Sequence, residues 1–465
     1  MEGIGMEVKN QAKITLLIVM LTSFITPFMS NAINLAIPAI GLEFKAGQGL
    51  MNWVVSGFLL STAAFLLPFG KLADQIGRKK VFLAGMSLLA VSALACALSA
   101  SLPALIFFRV LQGFASAMVF GTSMAILTSV IPPQTRGRAL GLNSAATYIG
   151  LSSGPVLGGL ICKLFTWRAV FYFNALLAVI IIILTLGMLK GEWKGTGSKL
   201  DGGGIVLCIL SQALLLFGLT DLSTGLLYQL CFIFGLVLLV LFFIYERRHS
   251  NPLIPIVSIV KNKPYAFANL ATLINYSATF ALSYVLSLYL QAALKLDTAV
   301  SGLILLVQPV LMAVLSPITG SISDKVSPAV LASTGMGVSA VGLFFFIFLS
   351  VNTPVVLIVL NLAFIGIGFA LFATPNTNAI MGSVDKTLYG VASSIIGNMR
   401  LLGQSISMAI VSLVTSTIMR ELTVDSPDYV SKLMPSIRIA FIIFALLCAL
   451  GVLASLVRMQ KSKGV

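Results

Sequence analysis

The chain has 465 residues, 58% of them hydrophobic and 9% charged, with a mean hydropathy of +1.05. A soluble domain carries roughly a quarter of its residues as Asp, Glu, Lys and Arg, so water is not the main solvent of this protein. The formal charge of +15 is spread through short connections between apolar runs, with no basic arm interleaved with aromatics, and this speaks against a nucleic-acid partner.

A helix needs about 20 apolar residues to cross the hydrocarbon core, and only helices or closed barrels satisfy their own backbone there. Alternating barrel segments are absent, so the expectation is an all-α, polytopic membrane protein with 14 transmembrane helices. In chain order the spans read 14–41, 50–70, 80–100, 103–130, 137–162, 167–190, 203–220, 225–245, 265–292, 299–320, 328–351, 355–381, 388–419 and 435–457. The first thirteen residues are polar and mixed in charge, and the run after them is too long for a signal peptide, so it is expected to stay as the first span. An even number of spans puts both termini on one side of the bilayer. Twenty Lys and Arg fall in the termini and the connections on their side, Lys9, Lys199, Arg458, Lys461 and Lys463 among them. Seven fall on the other side: Lys45, Lys163, Arg168, Lys295, Arg420, Lys432 and Arg438. By the positive-inside rule both termini are expected in the cytoplasm, and the expected bilayer is the plasma (cytoplasmic) membrane.

The five cysteines (Cys96, Cys162, Cys208, Cys231, Cys448) lie in or beside apolar segments with no metal-type spacing, and His249 is the one histidine. A His-based metal cluster is thereby excluded and an enzyme is not expected. No cofactor is expected beyond use of a proton gradient.

The connection after span 2, Gly70-Lys-Leu-Ala-Asp74-Gln-Ile-Gly77, matches Gly320-Ser-Ile-Ser-Asp324-Lys-Val-Ser327 at a shift of 250 residues. Pro103 and Pro354, and Arg136-Gly137 and Tyr389-Gly390, follow at almost the same shift, although the second copy has lost most of its charges. Two six-helix bundles, 14–190 and 265–457, would then flank a linker, 191–264, that holds two extra helices. Internal repeats of this kind are a common build for secondary transporters, with the substrate path where the halves meet.

Three motifs carry a family resemblance. Gly70-Lys-Leu-Ala-Asp74-Gln-Ile-Gly77-Arg78-Lys79-Lys80 resembles the loop signature of the major facilitator superfamily. Its glycines permit a tight turn and close helix approach, and Asp74 is suited to the positive end of a neighbouring helix. Leu105-Ile-Phe-Phe-Arg109-Val-Leu-Gln112-Gly113 resembles the fourth-helix motif, which centres on a buried arginine. Gly150-Leu-Ser-Ser-Gly154-Pro155-Val-Leu-Gly158-Gly159 resembles the fifth-helix motif of exporters, with small residues for close packing and a proline that bends the helix. Asn34-Leu-Ala-Ile-Pro38, Trp53, Trp167-Arg168, Lys199-Leu-Asp201-Gly and Asn251-Pro252 are similar to the fourteen-span drug:proton antiporter family. The resemblance implies the major facilitator fold and efflux of amphipathic small molecules, including multidrug efflux, by a proton-linked antiporter working as a monomer. It also implies gating or coupling roles for Gly70, Asp74, Gly77, Arg78, Arg109, Gln112, Gly113, Gly150, Gly154, Pro155, Gly158, Gly159 and Asp324. For Arg109 the other reading is structural, with the guanidinium satisfying carbonyls of spans 1 and 5.

The chain departs from that family in its acids. All fourteen Asp and Glu fall in connections or at span ends, and Met29 stands where the family commonly has an aspartate. Arg109 and Arg400, in contrast, lie inside spans. Three explanations remain: the substrate is neutral, zwitterionic or anionic and is bound with help from Arg400 or Arg109; coupling uses acids at span ends such as Asp74 or Asp324; or transport is uncoupled. A lipid, metabolite or anion facilitator and a non-transporting sensor are the other classes left open. The residues expected to line the path are Asn31, Asn34, Asn143, Tyr148, Asn275, Tyr276, Gln308, Asn376, Asn398 and Arg400, with local helix breaks at Pro309 and Pro375.

Overall fold

Each of the fourteen apolar runs is helical in the computed structural model, which describes residues 2–46, 48–195, 201–222, 225–419, 426 and 428–460. Lys199, Arg420, Lys461 and Lys463 of the charge asymmetry lie outside the described residues. The first six spans are α1 (Glu2–Phe44), α2 (Gln48–Ile76), α3 (Arg78–Ala97), α4 (Leu102–Val130), α5 (Arg136–Leu164) and α6 (Trp167–Met188). The inserted pair is α7 (Gly202–Thr220) and α8 (Leu226–Arg248), followed by the short α9 (Ile256–Lys261). The remaining helices are α10 (Lys263–Thr279), α11 (Leu282–Leu288), α12 (Thr298–Ser323), α13 (Pro328–Phe346), α14 (Val355–Gly382), α15 (Tyr389–Met419) and α16 (Tyr429–Gln460).

Close packing follows the small residues. Alpha-carbon hydrogens at Gly150, Gly154 and Gly158 let α5 lie on α1, and a Cβ at those positions would meet the Phe24 carbonyl, Asn31 Cβ and Ala32 respectively. In the second half α12 and α13 both pack on α14, and α10 packs on α15 and α16. The halves meet where α5 lies along α12 and where α15 lies along α2 and α4. Of the inserted pair, α7 packs on α2 and α15, while α8 turns Leu230, Phe234, Val237, Leu241 and Ile244 outward, as a lipid-facing helix does.

Prolines act differently from the expectation. Pro309 and Pro375 lie inside uninterrupted helices, as does Pro155, because a proline forfeits one amide bond without ending a helix whose neighbours hold it in place. The break falls instead in the ninth span, between α10 and α11 at Phe280–Ala281, and is followed by a π-turn at Tyr289–Ala293. There the Ala281 amide donates to Ser407 Oγ of α15 at 3.0 Å.

Candidate functional site

The site is built from two clamps at the face that carries both termini and a polar group between the halves, deeper in the bilayer. In the first clamp, Asp74 at the end of α2 is 4% exposed and reads the tip of α15: Gly390 N–H donates to Oδ1 and Val391 N–H to Oδ2, each at 3.0 Å. Arg78 Nε holds the same carboxylate at 2.8 Å, and its other nitrogens donate to Ser129 Oγ at 2.7 Å and the Lys386 carbonyl at 2.6 Å. An anion at a helix N-terminus contributes about 0.3–1 kcal/mol, and up to about 2 when partly buried. Gly77 turns the chain at φ 124°, a conformation that favours glycine, and Glu192 Oε1 caps the next helix by accepting from Lys79 N–H at 2.8 Å. The Trp193 carbonyl and Gly195 amide bond Arg78 N and Asp74 O at 2.9 and 2.6 Å, so the stretch after α6 straps the loop.

The second clamp repeats the first in the other direction. Asp324, at the end of α12, accepts from Gly137 N–H at 2.6 Å and Arg138 N–H at 2.9 Å, the tip of α5. Beside it Arg136 Nε donates to Asn378 Oδ1 at 2.8 Å. Both crossings are backbone on backbone: a Cβ on Gly70 would lie 2.7 Å from the Gly390 carbonyl, and one on Gly320 would strike the Gly137 carbonyl.

Arg400 lies eleven residues into α15, a rise of about 16 Å, near half the hydrocarbon thickness. Its Nη2 donates to Thr377 Oγ1 at 3.0 Å, and its guanidinium carbon is 5.7 Å from the Tyr276 ring centroid. Tyr276 and Tyr148 each meet Phe369 edge-on, at 5.4 and 6.2 Å. Tyr148 comes from α5 and the others from the second half, so the group straddles the boundary. Arg400 Nε is unpartnered, and among the described residues no carboxylate pairs with this guanidinium.

Arg109 is placed elsewhere. It is fully enclosed within the first six helices, with Nε donating to the Val54 carbonyl at 2.7 Å, Nη1 to Gln112 Oε1 at 2.6 Å, and the guanidinium 4.4 Å above Phe58. Its partners belong to span 2 and to its own span 4 rather than to spans 1 and 5. Gly113 explains this: with no side chain it lies against the Phe58 carbonyl and draws α4 onto α2.

The amides divide. Asn31 Nδ2 bridges to the Leu151 carbonyl at 2.7 Å, Asn376 to Ala268 O at 3.0 Å and Thr272 Oγ1 at 2.9 Å, and Asn398 to Ala63 O at 3.3 Å. These tie helix to helix. Asn34 is exposed and Gln308 is buried on α12. Asn143 and Asn275 are buried, with Asn143 Oδ1 and both Asn275 side-chain polar atoms unpartnered. Phe369, Thr377 and Glu192 were not singled out by sequence. The apolar run around Phe369 carries no local signal of a partner, because its contacts come from distant helices.

The Major Facilitator Superfamily model matches residues 19–408 and, again, 268–464. The riboflavin transporter RibZ of Clostridioides difficile is 26% identical over 404 residues, 87% of this chain and 88% of that one. The drug efflux pump JefA of Mycobacterium tuberculosis is 30% identical, covering 80% of this chain and 74% of its own. The tetracenomycin C resistance and export protein of Streptomyces glaucescens is 28% identical, covering 87% and 76%. Among solved structures, the proton:xylose symporter XylE superposes with a TM-score of 0.66 at 14% identity, covering 96% of this chain and 95% of that one. The human organic anion transporter MFSD10 gives 0.64 at 14%, covering 97% and 99%. Fourteen helical spans, paired clamps and a whole-length family match agree, and the chain belongs to the Major Facilitator Superfamily of membrane transporters.

Proposed function

We propose that this protein exports neutral, zwitterionic or anionic amphipathic small molecules from the cytoplasm by alternating access, and that the process is proton-linked. The observation that carries the substrate class is the unopposed guanidinium of Arg400 among Tyr276, Tyr148, Phe369 and Thr377. A cation would meet repulsion there, whereas an anion or carbonyl-rich ligand finds a donor with aromatic walls. With both termini in the cytoplasm, the clamped face is the cytoplasmic one, and the form described is closed to the cytoplasm. The drug efflux relatives support export. A second reading, transport of a physiological metabolite, is favoured by RibZ, which is a riboflavin transporter and covers nearly the whole chain.

The test is flux in proteoliposomes with cationic, neutral and anionic amphiphiles, each with and without an imposed proton gradient. Anionic and neutral probes are expected to move and lipophilic cations are not. A charge-assisted hydrogen bond contributes about 1.5–3 kcal/mol, so Arg400→Ala is expected to lower transport of anionic probes by roughly tenfold or more. Preference for cations, retained in Arg400→Ala, would refute the substrate class. Flux indifferent to the gradient would refute the coupling.

A further inference from the structure

A second polar centre lies in the inserted pair, away from the boundary between the halves. Asp201 caps α7, its Oδ1 accepting from Gly204 N–H at 3.0 Å and from the Tyr245 hydroxyl at 3.1 Å. Glu246, in the last turn of α8, accepts from Ile254 N–H through Oε2 at 2.9 Å. The two residues are 5% and 2% exposed. The other oxygen of each, Asp201 Oδ2 and Glu246 Oε1, is buried with no donor among the described residues. These two oxygens are neighbours over the same glycine: a Cβ on Gly204 would lie 2.2 Å from Glu246 Oε1 and 2.4 Å from Asp201 Oδ2. Ionised carboxylates only accept, and two such charges in a dry site repel. One proton between them satisfies both oxygens.

Among the described residues no other side chain donates to either oxygen. His249 Nδ1 accepts from Asn251 N–H at 3.2 Å, so a neutral ring carries its hydrogen on Nε2, which stands 3.7 Å from Asp201 Oδ1, the oxygen already bonded. Lys71 of α2 feels the charges of both Asp74 and Glu246, and Cys208 of α7 that of Glu246. Tyr265 of α10 lies in the apolar cluster beneath, with Cys208, Leu253 and Ile254.

We propose that Asp201 and Glu246 form a proton-binding site, one proton being held between Asp201 Oδ2 and Glu246 Oε1 and exchanged with solution at the face that carries the termini. With the proton bound, the pair carries a single negative charge, and α7, α8 and the segment through Ile254 are held together. Release leaves two like charges in contact, which loosens that packing and changes the field at Lys71, on the helix that bears the Asp74 clamp. The inserted helices thus bring proton occupancy to the gate.

The test uses the full chain in detergent and reads no transport, so its outcome is separate from that of the proposed substrate. Infrared spectra recorded from acid through neutral pH are expected to show a buried carboxylic C=O band that disappears as pH rises. Glu246→Gln, whose amide N–H₂ takes the place of the proton, and Asp201→Asn are each expected to lack that band. Lys199→Gln is expected to keep it. Thermal unfolding gives the second reading: the wild-type melting temperature falls as the proton is lost, while Glu246→Gln melts at the same temperature across the range. A band and a pH profile unchanged in both acid variants would overturn the proposal. So would a melting temperature that responds to added sodium at fixed pH and not to pH itself.

Discussion

The two intramembrane arginines have different surroundings, and different consequences are expected on substituting them. Arg109 has Val54, Gln112 and Phe58 around a fully enclosed guanidinium, a planar fork that a lysine cannot reproduce. Arg109→Lys is therefore expected to leave acceptors unpaired at a cost of about 1–3 kcal/mol, lowering the unfolding temperature without changing which substrates are moved. Arg400 is half-buried with one hydrogen-bonding partner, Thr377, so Arg400→Lys should melt near wild type and alter substrate preference. Thermal scans beside the flux panel separate the two. The positions of both arginines could be read from sequence because a charge in an apolar run stands out. Their partners could not: Val54 lies 55 residues before Arg109, and nothing local marks a carbonyl as an acceptor. Asp74 was legible through the spacing of glycines and basic residues around it, yet its recipients are 316 and 317 residues away.

At the level of helices, α5 offers a graded test. Gly158 lies against Ala32, where a Cβ would approach Ala32 Cα to 2.7 Å, backbone that cannot give way. At Gly159 the nearest atom is the end of the Leu35 side chain at 3.3 Å. Gly158→Ala is expected to cost about 1–3 kcal/mol through overpacking and Gly159→Ala well under that, measurable as a large and a small fall in melting temperature. Equal effects would show that the motif is not read by contact with α1. Span positions were legible because lipid demands long apolar helices, whereas the interruption at Phe280–Ala281 was not. It depends on Ser407, which supplies the Ala281 amide with an acceptor from another helix, while the prolines that suggested breaks are held straight enough by packing.

For the whole molecule, the two clamps join the halves at the termini-bearing face, and the gating role we propose for them predicts an asymmetry. Asp74 is buried and paired with Arg78, while Asp324 is half-exposed and has only its two amides and no ion pair among the described residues. Loss of about 1–2 kcal/mol changes a two-state ratio by a factor of roughly 5–30. Asp74→Asn is expected to open that face more than Asp324→Asn does, read as faster labelling of a cysteine placed on α15, and to impair turnover more than ligand binding. Equal labelling in the two variants would contradict the asymmetry.

Each clamp grips main-chain amides, a grip that ignores the identity of the side chains around them. The glycine recurs while its neighbours differ: one tip offers Arg136-Gly137-Arg138 and the other Tyr389-Gly390-Val391. A hold on the backbone needs no matching side chain, so two tips of unlike sequence are gripped in the same manner.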